Sequence, residues 1–451
     1  MQKLKRLLQR KRPRKEEAQK EQQSPAPIPP ATPTITNSPK TPSLSNLERL
    51  PFEIRNGFLL AIDSLKDLSA LVHASPTFHE QYRLDRAFWL WHCLQLELGH
   101  IFVDAYIANQ CNAPEFRLKR NRERILLFIE DYKSHRSLNT DVFTKCPDED
   151  EILSIVTFHV FVIRPIMNHY VSWARANMES LSTPKELSRT EERRIMRGLY
   201  RFQIFTNLFG AVKGRDHGRS FLGSEERLGL LLNDFVAWEI EEMLCINTFV
   251  HAKYESVFEE IQWDLHPDNP SFDPVRTGPH TPPGAFHLVN HMSSEWYRNG
   301  MVSRGLSVLS SVFKAQDRLR LVKVISEEVV SAVDDLLFRT TIPWYQEERR
   351  ENQHSDRDQA QDDREKMVFS GDNDDSPPLA WVIFWKEAYS NLFGDFIPRP
   401  LRQWGYVMWD GDRLANTDAV AILDQAWKNM YTRSNDSAEP EDPRDEMLAY
   451  H

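Results

Sequence analysis

Two groupings in the chain carry residue types that bind divalent cations: Asn233-Asp234 followed by Glu241, and the pair Asp334-Asp335. Asn233, Ala237 and Glu241 are four apart and share one helix face, where oxygen ligands would suit Mg²⁺. Ala237 has no oxygen where a hydroxyl is needed, and Phe338 stands where an acid would complete the Asp334-Asp335 set. His287 and His291 are spaced as two imidazoles on one helical turn, but Asn290 between them is a weak helper and no third ligand is indicated. Gly214-Arg215-Asp216-His217-Gly218-Arg219-Ser220 has neither the spacing nor the lysine of a phosphate-cradling loop. Gly305-Leu306-Ser307 lacks the second glycine that lets a nucleophilic serine sit on a tight strand-to-helix turn. Cys93, Cys111, Cys146 and Cys245 are far apart and form no CxxC, so they read as free thiols of a reducing compartment. The chain is therefore expected to be non-catalytic, with no cofactor and no metal.

The acidic groupings are similar to those of terpene cyclases, yet they occur in the reverse order, and charges on amphipathic helices are usually solvated. The elements behind them are expected to be helical. Of 451 residues 41% are hydrophobic and only 16 are glycine, which favours a globular all-α fold over glycine-rich barrels. Leu228, Leu231, Leu232, Phe235, Val236, Met243, Ile246, Phe249, Val250, Val257, Phe258 and Ile261 recur at helical steps and predict one long helix, with Ser224 as its N-cap. Thr183-Pro184-Lys185-Glu186 predicts another helix start. Ile152–Ile163 is read as a buried helix too short to span a bilayer.

Composition divides the chain. Met1–Lys15 holds eight cations and no acid, so a net charge of −10 leaves −18 on the rest. An acidic body repels phosphate backbones, and no nucleic-acid partner is expected. Lys11, Arg12, Arg14 and Lys15 form a compact basic run of the kind read by nuclear import receptors. With no secretory or membrane-spanning signal, the expected location is nucleus and/or cytoplasm. Residues 1–43 are expected to be disordered, basic and then rich in Pro, Ser and Thr, with folding beginning at Leu44. A helical domain is expected over 91–432, interrupted by a disordered acidic insert at about 346–378, with a disordered acidic tail over 433–451. The proline cluster from Leu265 to Pro283 excludes regular structure there.

Residues 44–90 are expected to form a compact unit of three short helices with more apolar residues than it can enclose, the composition of a module that gives one face to a partner helix. Leu50, Ile54, Phe58 and Ile62 fall four apart. Leu50-Pro51-Phe52-Glu53-Ile54, followed by Leu65, Leu68, Leu71-Val72, Ala74-Ser75 and Phe78, resembles the F-box. Leu71-Val72-His73-Ala74-Ser75-Pro76 looks especially like the F-boxes of filamentous fungi, and Leu401–Asp410, with its Trp404-Gly405-Tyr406-Val407-Met408-Trp409-Asp410 core, resembles a C-terminal segment of fungal proteins that carry one. Arg55-Asn56-Gly57 departs from the apolar residues usual in that helix. The resemblance implies a substrate adaptor of a ubiquitin ligase, docking through a Skp-type adaptor onto a cullin while the rest of the chain holds an unknown protein target. The adaptor-binding residues it implies are Leu50, Pro51, Ile54, Phe58, Ile62, Leu68, Leu71 and Val72. The rival expectation is a helical scaffold in which this segment is only structural, and a third is a helical metal-dependent enzyme built on the acidic groupings above. The aromatic set Trp404, Tyr406 and Trp409 is read as core before it is read as a ligand platform.

Overall fold

In a computed structural model of the chain, the described residues are 45–137, 147–178, 186–212, 222–288, 291–432 and 440–448. They are all-α: the sole β pairing among them is an isolated antiparallel bridge between Lys366 and Ala388. The chain divides into two compact units, one of residues 1–97 with 146–153, the other of 98–145 with 154–451.

In the first unit α1 (Phe52–Leu60), α2 (Leu65–Ala74), α3 (Pro76–Leu84) and α4 (Arg86–Leu98) follow each other through tight turns. Pro76 occupies the first position of α3, where its missing N–H is no loss, and the Ser75 hydroxyl accepts the Phe78 N–H at 3.3 Å. The start of α2 is completed from a distance: Glu97 on α4 accepts the Leu65 N–H at 2.8 Å. Leu59, Leu65, Leu68, Val72, Phe78 and Tyr82 form this unit's core.

The second unit is built around α6 (Arg189–Phe209), which packs on α5 (Phe102–Asn112) and α7 (Ala237–Ile261). Ser188 caps α6 in a reciprocal box with Glu191, whereas Thr183-Pro184-Lys185 lies outside the described residues and Glu186 is not helical. Arg120 is buried and donates to the Asn207 and Gly210 carbonyls, both at 2.6 Å, closing the other end of α6. Ile152–Ile163 is helical as expected. It lies in a longer run, Glu149–Ala176, which by length and composition is apolar enough to cross a membrane; Ile155, Ile163, Ile166 and Tyr170 on it are buried.

Three expectations are corrected here. The stripe from Leu228 to Ile261 is two helices, Ser224–Leu230 and α7, with Gly223 rather than Ser224 at the cap. The break at 231–236 is stable because Arg357 donates to the freed Asn233 and Phe235 carbonyls at 3.1 and 2.6 Å. Arg357 comes from the supposed disordered insert, which instead folds as helices Pro343–Asn352 and Asp356–Asp362. Arg349 pairs with Asp358 at 2.8 Å, Asn391 donates to the same carboxylate at 2.9 Å, and Arg350 bonds Asp362. Arg349, Arg350, Asp358 and Asp362 are thus partnered inside the fold, which removes much of the reason for disorder. The acidic tail is ordered over its described part: Pro443–Leu448 is helical, and Arg444 is buried 5.2 Å over the Trp385 ring while pairing with Asp442 at 2.6 Å. The region Leu265–Pro283 contains one short 3-10 turn, Pro270–Val275.

Candidate docking surface

α1 is apolar on more than one side. Leu59 is its single buried residue, yet Phe52, Ile54, Phe58 and Leu60 are 45%, 51%, 45% and 42% exposed. A helix with apolar residues around most of its circumference normally has neighbours on every side. Ile54 and Phe58, four apart, make one exposed stripe. Phe52, Asn56 and Leu60, also four apart, line a groove of about 390 Å³ that Leu84 and Phe88 close from the other wall. Leu84 is 77% exposed and Leu47 37%.

The unusual polar residues of α1 hold this surface in place. Arg55 donates from Nη1 to the Glu48 and Leu50 carbonyls at 2.9 and 3.1 Å, and from Nε to Gln81 Oε1 at 3.0 Å. Gln81, itself buried on α3, donates back to the Phe52 carbonyl at 3.3 Å and to Asn56. Arg55 and Asn56 therefore fasten the N-terminal turn and α1 to α3, a role that an apolar residue could not fill. Ser75 donates to Glu48 at 2.6 Å, and this bond, with help from Ser45, lowers the Glu48 carboxyl below its ordinary range. At the far end His92 bonds the Leu60 carbonyl at 3.0 Å. Gly57 is exposed with open space around it.

The expected adaptor-contact residues separate into three groups. Pro51, Ile54 and Phe58 are exposed; Leu50, Ile62 and Leu71 are half-buried; Leu68 and Val72 are each 2% exposed and belong to the core. Leu68 and Val72 are corrected from contact residues to core residues, because α2 turns that face toward Phe78 and Tyr82. Ile62 also leaves the proposed stripe, since α1 ends at Leu60. Phe52, Leu60 and Leu84 were missed by sequence reasoning, although their apolar character at helical spacing was a usable signal. Lys11, Arg12, Arg14, Lys15 and Leu44 lie outside the described residues.

No family model, curated protein or solved structure gives a significant match to this chain.

The other candidate chemistry falls inside the second unit. Glu241 is fully buried and accepts from Arg402 at 2.8 and 2.9 Å, from the Gly394 N–H at 2.8 Å and from Tyr406 at 3.3 Å. Asp335 caps a short helix and pairs with His251 at 2.8 Å and Asn247 at 2.8 Å. Their lone pairs are committed to these partners, and among the described residues no group of three or more His, Cys, Asp or Glu is placed to hold a metal. His287 precedes the helix that begins at His291, so the two do not share a helical turn. Trp404, Tyr406 and Trp409 are buried in the core, with Gly405 at φ +68° and the Tyr170 hydroxyl against its α-carbon. Cys111 and Cys245, and Cys93 in the first unit, are buried and in no disulfide; burial pushes the Cys111 thiol up to about 12.

Proposed function

We propose that the first unit is an F-box-type module that docks on a Skp-type adaptor, and that the second unit holds a protein target beside a cullin ubiquitin ligase. The chain then works by proximity: tethering the target raises its effective concentration at the charged ubiquitin carrier without chemistry of its own. The observation that carries this reading is the stripe of Ile54 and Phe58, large apolar side chains half in solvent on a helix that its own unit covers on one side only. Arg55, Asn56 and Gly57, which depart from the usual pattern, are compatible with it: two act inward and one is a bare exposed position.

The test is co-purification of the full chain with a Skp-type adaptor, comparing natural chain, Ile54→Asp and Phe58→Asp. Both positions are exposed, so folding should survive and can be checked by circular dichroism. Each charge is expected to weaken the complex by roughly 2 kcal/mol or more, about thirtyfold. Absence of binding by the folded natural chain rejects the reading. A second reading, a helical scaffold, is favoured by the burial of Leu68, Val72 and Phe78, which makes much of the motif the unit's own core. It requires that neither substitution affect any adaptor complex.

A further inference from the structure

α1 presents apolar side chains on two opposite flanks. At about 3.6 residues per turn, Phe52, Asn56 and Leu60 lie across the helix from Ile54 and Phe58, so a partner seated on that stripe leaves the Phe52–Leu60 flank uncovered. This flank is one wall of the groove of about 390 Å³ that Leu84 and Phe88 close, and among the lining residues Asp85 alone is charged. Next to Asp85, Arg86 meets Glu149 at 3.7 Å, and Glu149 belongs to the run Asp148-Glu149-Asp150-Glu151 of the same unit. Asp148, Glu149 and Asp150 are exposed, and burial, then repulsion from Asp148, pushes the Glu151 carboxyl above its ordinary range. Arg83 and Arg86 are the cations beside Asp85 in sequence, so carboxylates outnumber them at this end of the groove.

A segment of complementary chemistry joins the unit beside this groove. Ser45, the first described residue, donates its N–H to Glu48 at 2.8 Å; Arg55 holds the Glu48 carbonyl at 2.9 Å and Gln81 at 3.0 Å, and Gln81 lines the groove. The 44 residues before Ser45 lie outside the described residues. Their first part, Met1–Lys15, combines eight cations with Leu4, Leu7 and Leu8, spaced three and four apart as on one face of a helix. More than thirty residues separate Leu8 from Ser45, a reach of roughly 100 Å when extended, so the connection does not limit where the segment can go. Attachment to the same chain supplies an effective concentration on the order of millimolar, at which even a weak contact is substantially occupied.

We infer that the groove takes the chain's own N-terminal segment, Met1–Lys15, with Leu4, Leu7 and Leu8 against Leu60, Leu84 and Phe88 and the flanking cations toward Asp85 and the Asp148–Glu151 run. The contact forms within one chain, so it is closed at any protein concentration, and a ligand for this flank of α1 must compete with the arm. It lies across α1 from the Ile54–Phe58 stripe and does not rest on the adaptor reading.

The test is limited trypsin digestion of the full chain, with mass spectrometry following the cuts at Lys5, Arg6 and Arg10. Cleavage of a closed contact tracks the fraction of time it is open. Two variants open it from opposite sides: Leu84→Asp puts a charge in the groove at a side chain that is 77% exposed, and Leu7→Ser with Leu8→Ser removes the arm's apolar face without touching any described residue. Both must melt like the natural chain. Each should be cut about tenfold faster than the natural chain, high salt should speed cutting of the natural chain toward the rate of the variants, and the natural rate should not change on dilution. Equal rates in all three proteins, or a response of only one variant, would overturn the site. Protection that disappears on dilution would overturn it as well, by showing that the arm comes from a second copy.

Discussion

Glu241→Gln should be among the most damaging conservative changes in the protein. The carboxylate has no solvent access and takes both forks of the Arg402 guanidinium, which is itself 2% exposed. The amide keeps the volume but removes the charge, and it turns an NH₂ group toward donors. That leaves Arg402 as a buried cation without compensation, a situation that costs about 3–5 kcal/mol. Arg402→Met should cost a similar amount by stranding the carboxylate. The double variant removes both charges, retains a carboxamide oxygen for the Gly394 N–H and fills the guanidinium's space with an apolar chain, so it should be less destabilised than either single change. At roughly 2–4 °C per kcal/mol, the single variants should melt at least ~6 °C lower. Near-ultraviolet circular dichroism is a suitable probe, since Trp404 and Trp409 lie in the same buried segment. Singles that melt within 1 °C of the natural chain, or a double variant whose loss equals the sum of the singles, would refute the reasoning.

Glu239 gives a pH dependence. Burial pushes its carboxyl up, but Arg201, Arg197 and Arg136 outweigh that and hold it down to about 2. A carboxyl depressed on folding stabilises the protein above its unfolded pKa and loses that contribution as pH falls through the folded value. About 3 kcal/mol should therefore disappear between pH 5 and pH 2, and Glu239→Gln should flatten that part of a stability-against-pH curve from urea unfolding. Gly57→Ala, on exposed helix with nothing within 4 Å of the added methyl, should stabilise the first unit by up to ~1 kcal/mol in denaturant titration. Gly300→Ala should do the opposite in the second unit, since its Cβ would sit 2.0 Å from the Val330 carbonyl oxygen; thermal melting will read the loss. Cys111, buried and pushed up to about 12, should resist iodoacetamide at pH 8 in the native protein and react only after unfolding, as followed by mass spectrometry.

Helix content and the existence of a small module before residue 90 were legible because apolar spacing is a local property. Leu65, Leu68, Val72 and Phe78 read as a pattern and are found together. The sequence does not say which face of such a pattern turns inward, so the adaptor-binding set that the resemblance implies mixes the buried Leu68 and Val72 with the exposed Ile54 and Phe58. The larger failures come from charge. Asp358, Arg357 and Arg444 look like solvated residues when hydropathy is summed along the chain, yet each has a partner far off in sequence, Asn391 for Asp358, the Asn233 and Phe235 carbonyls for Arg357 and the Ala388 and Tyr389 carbonyls for Arg444. The same effect hid the break after Leu230, which depends on Arg357 reaching carbonyls more than a hundred residues away. Arg55 is a smaller instance: an apparent defect in an apolar helix is the residue that fastens it to Gln81.

The adaptor claim rests on α1, and hydrogen exchange of the full chain with and without a Skp-type adaptor tests it most directly. Amides of Phe52–Leu60 should become protected in the complex, and that protection should vanish for Ile54→Asp. A stable complex that leaves those amides unchanged, or no complex at all, would contradict the assignment.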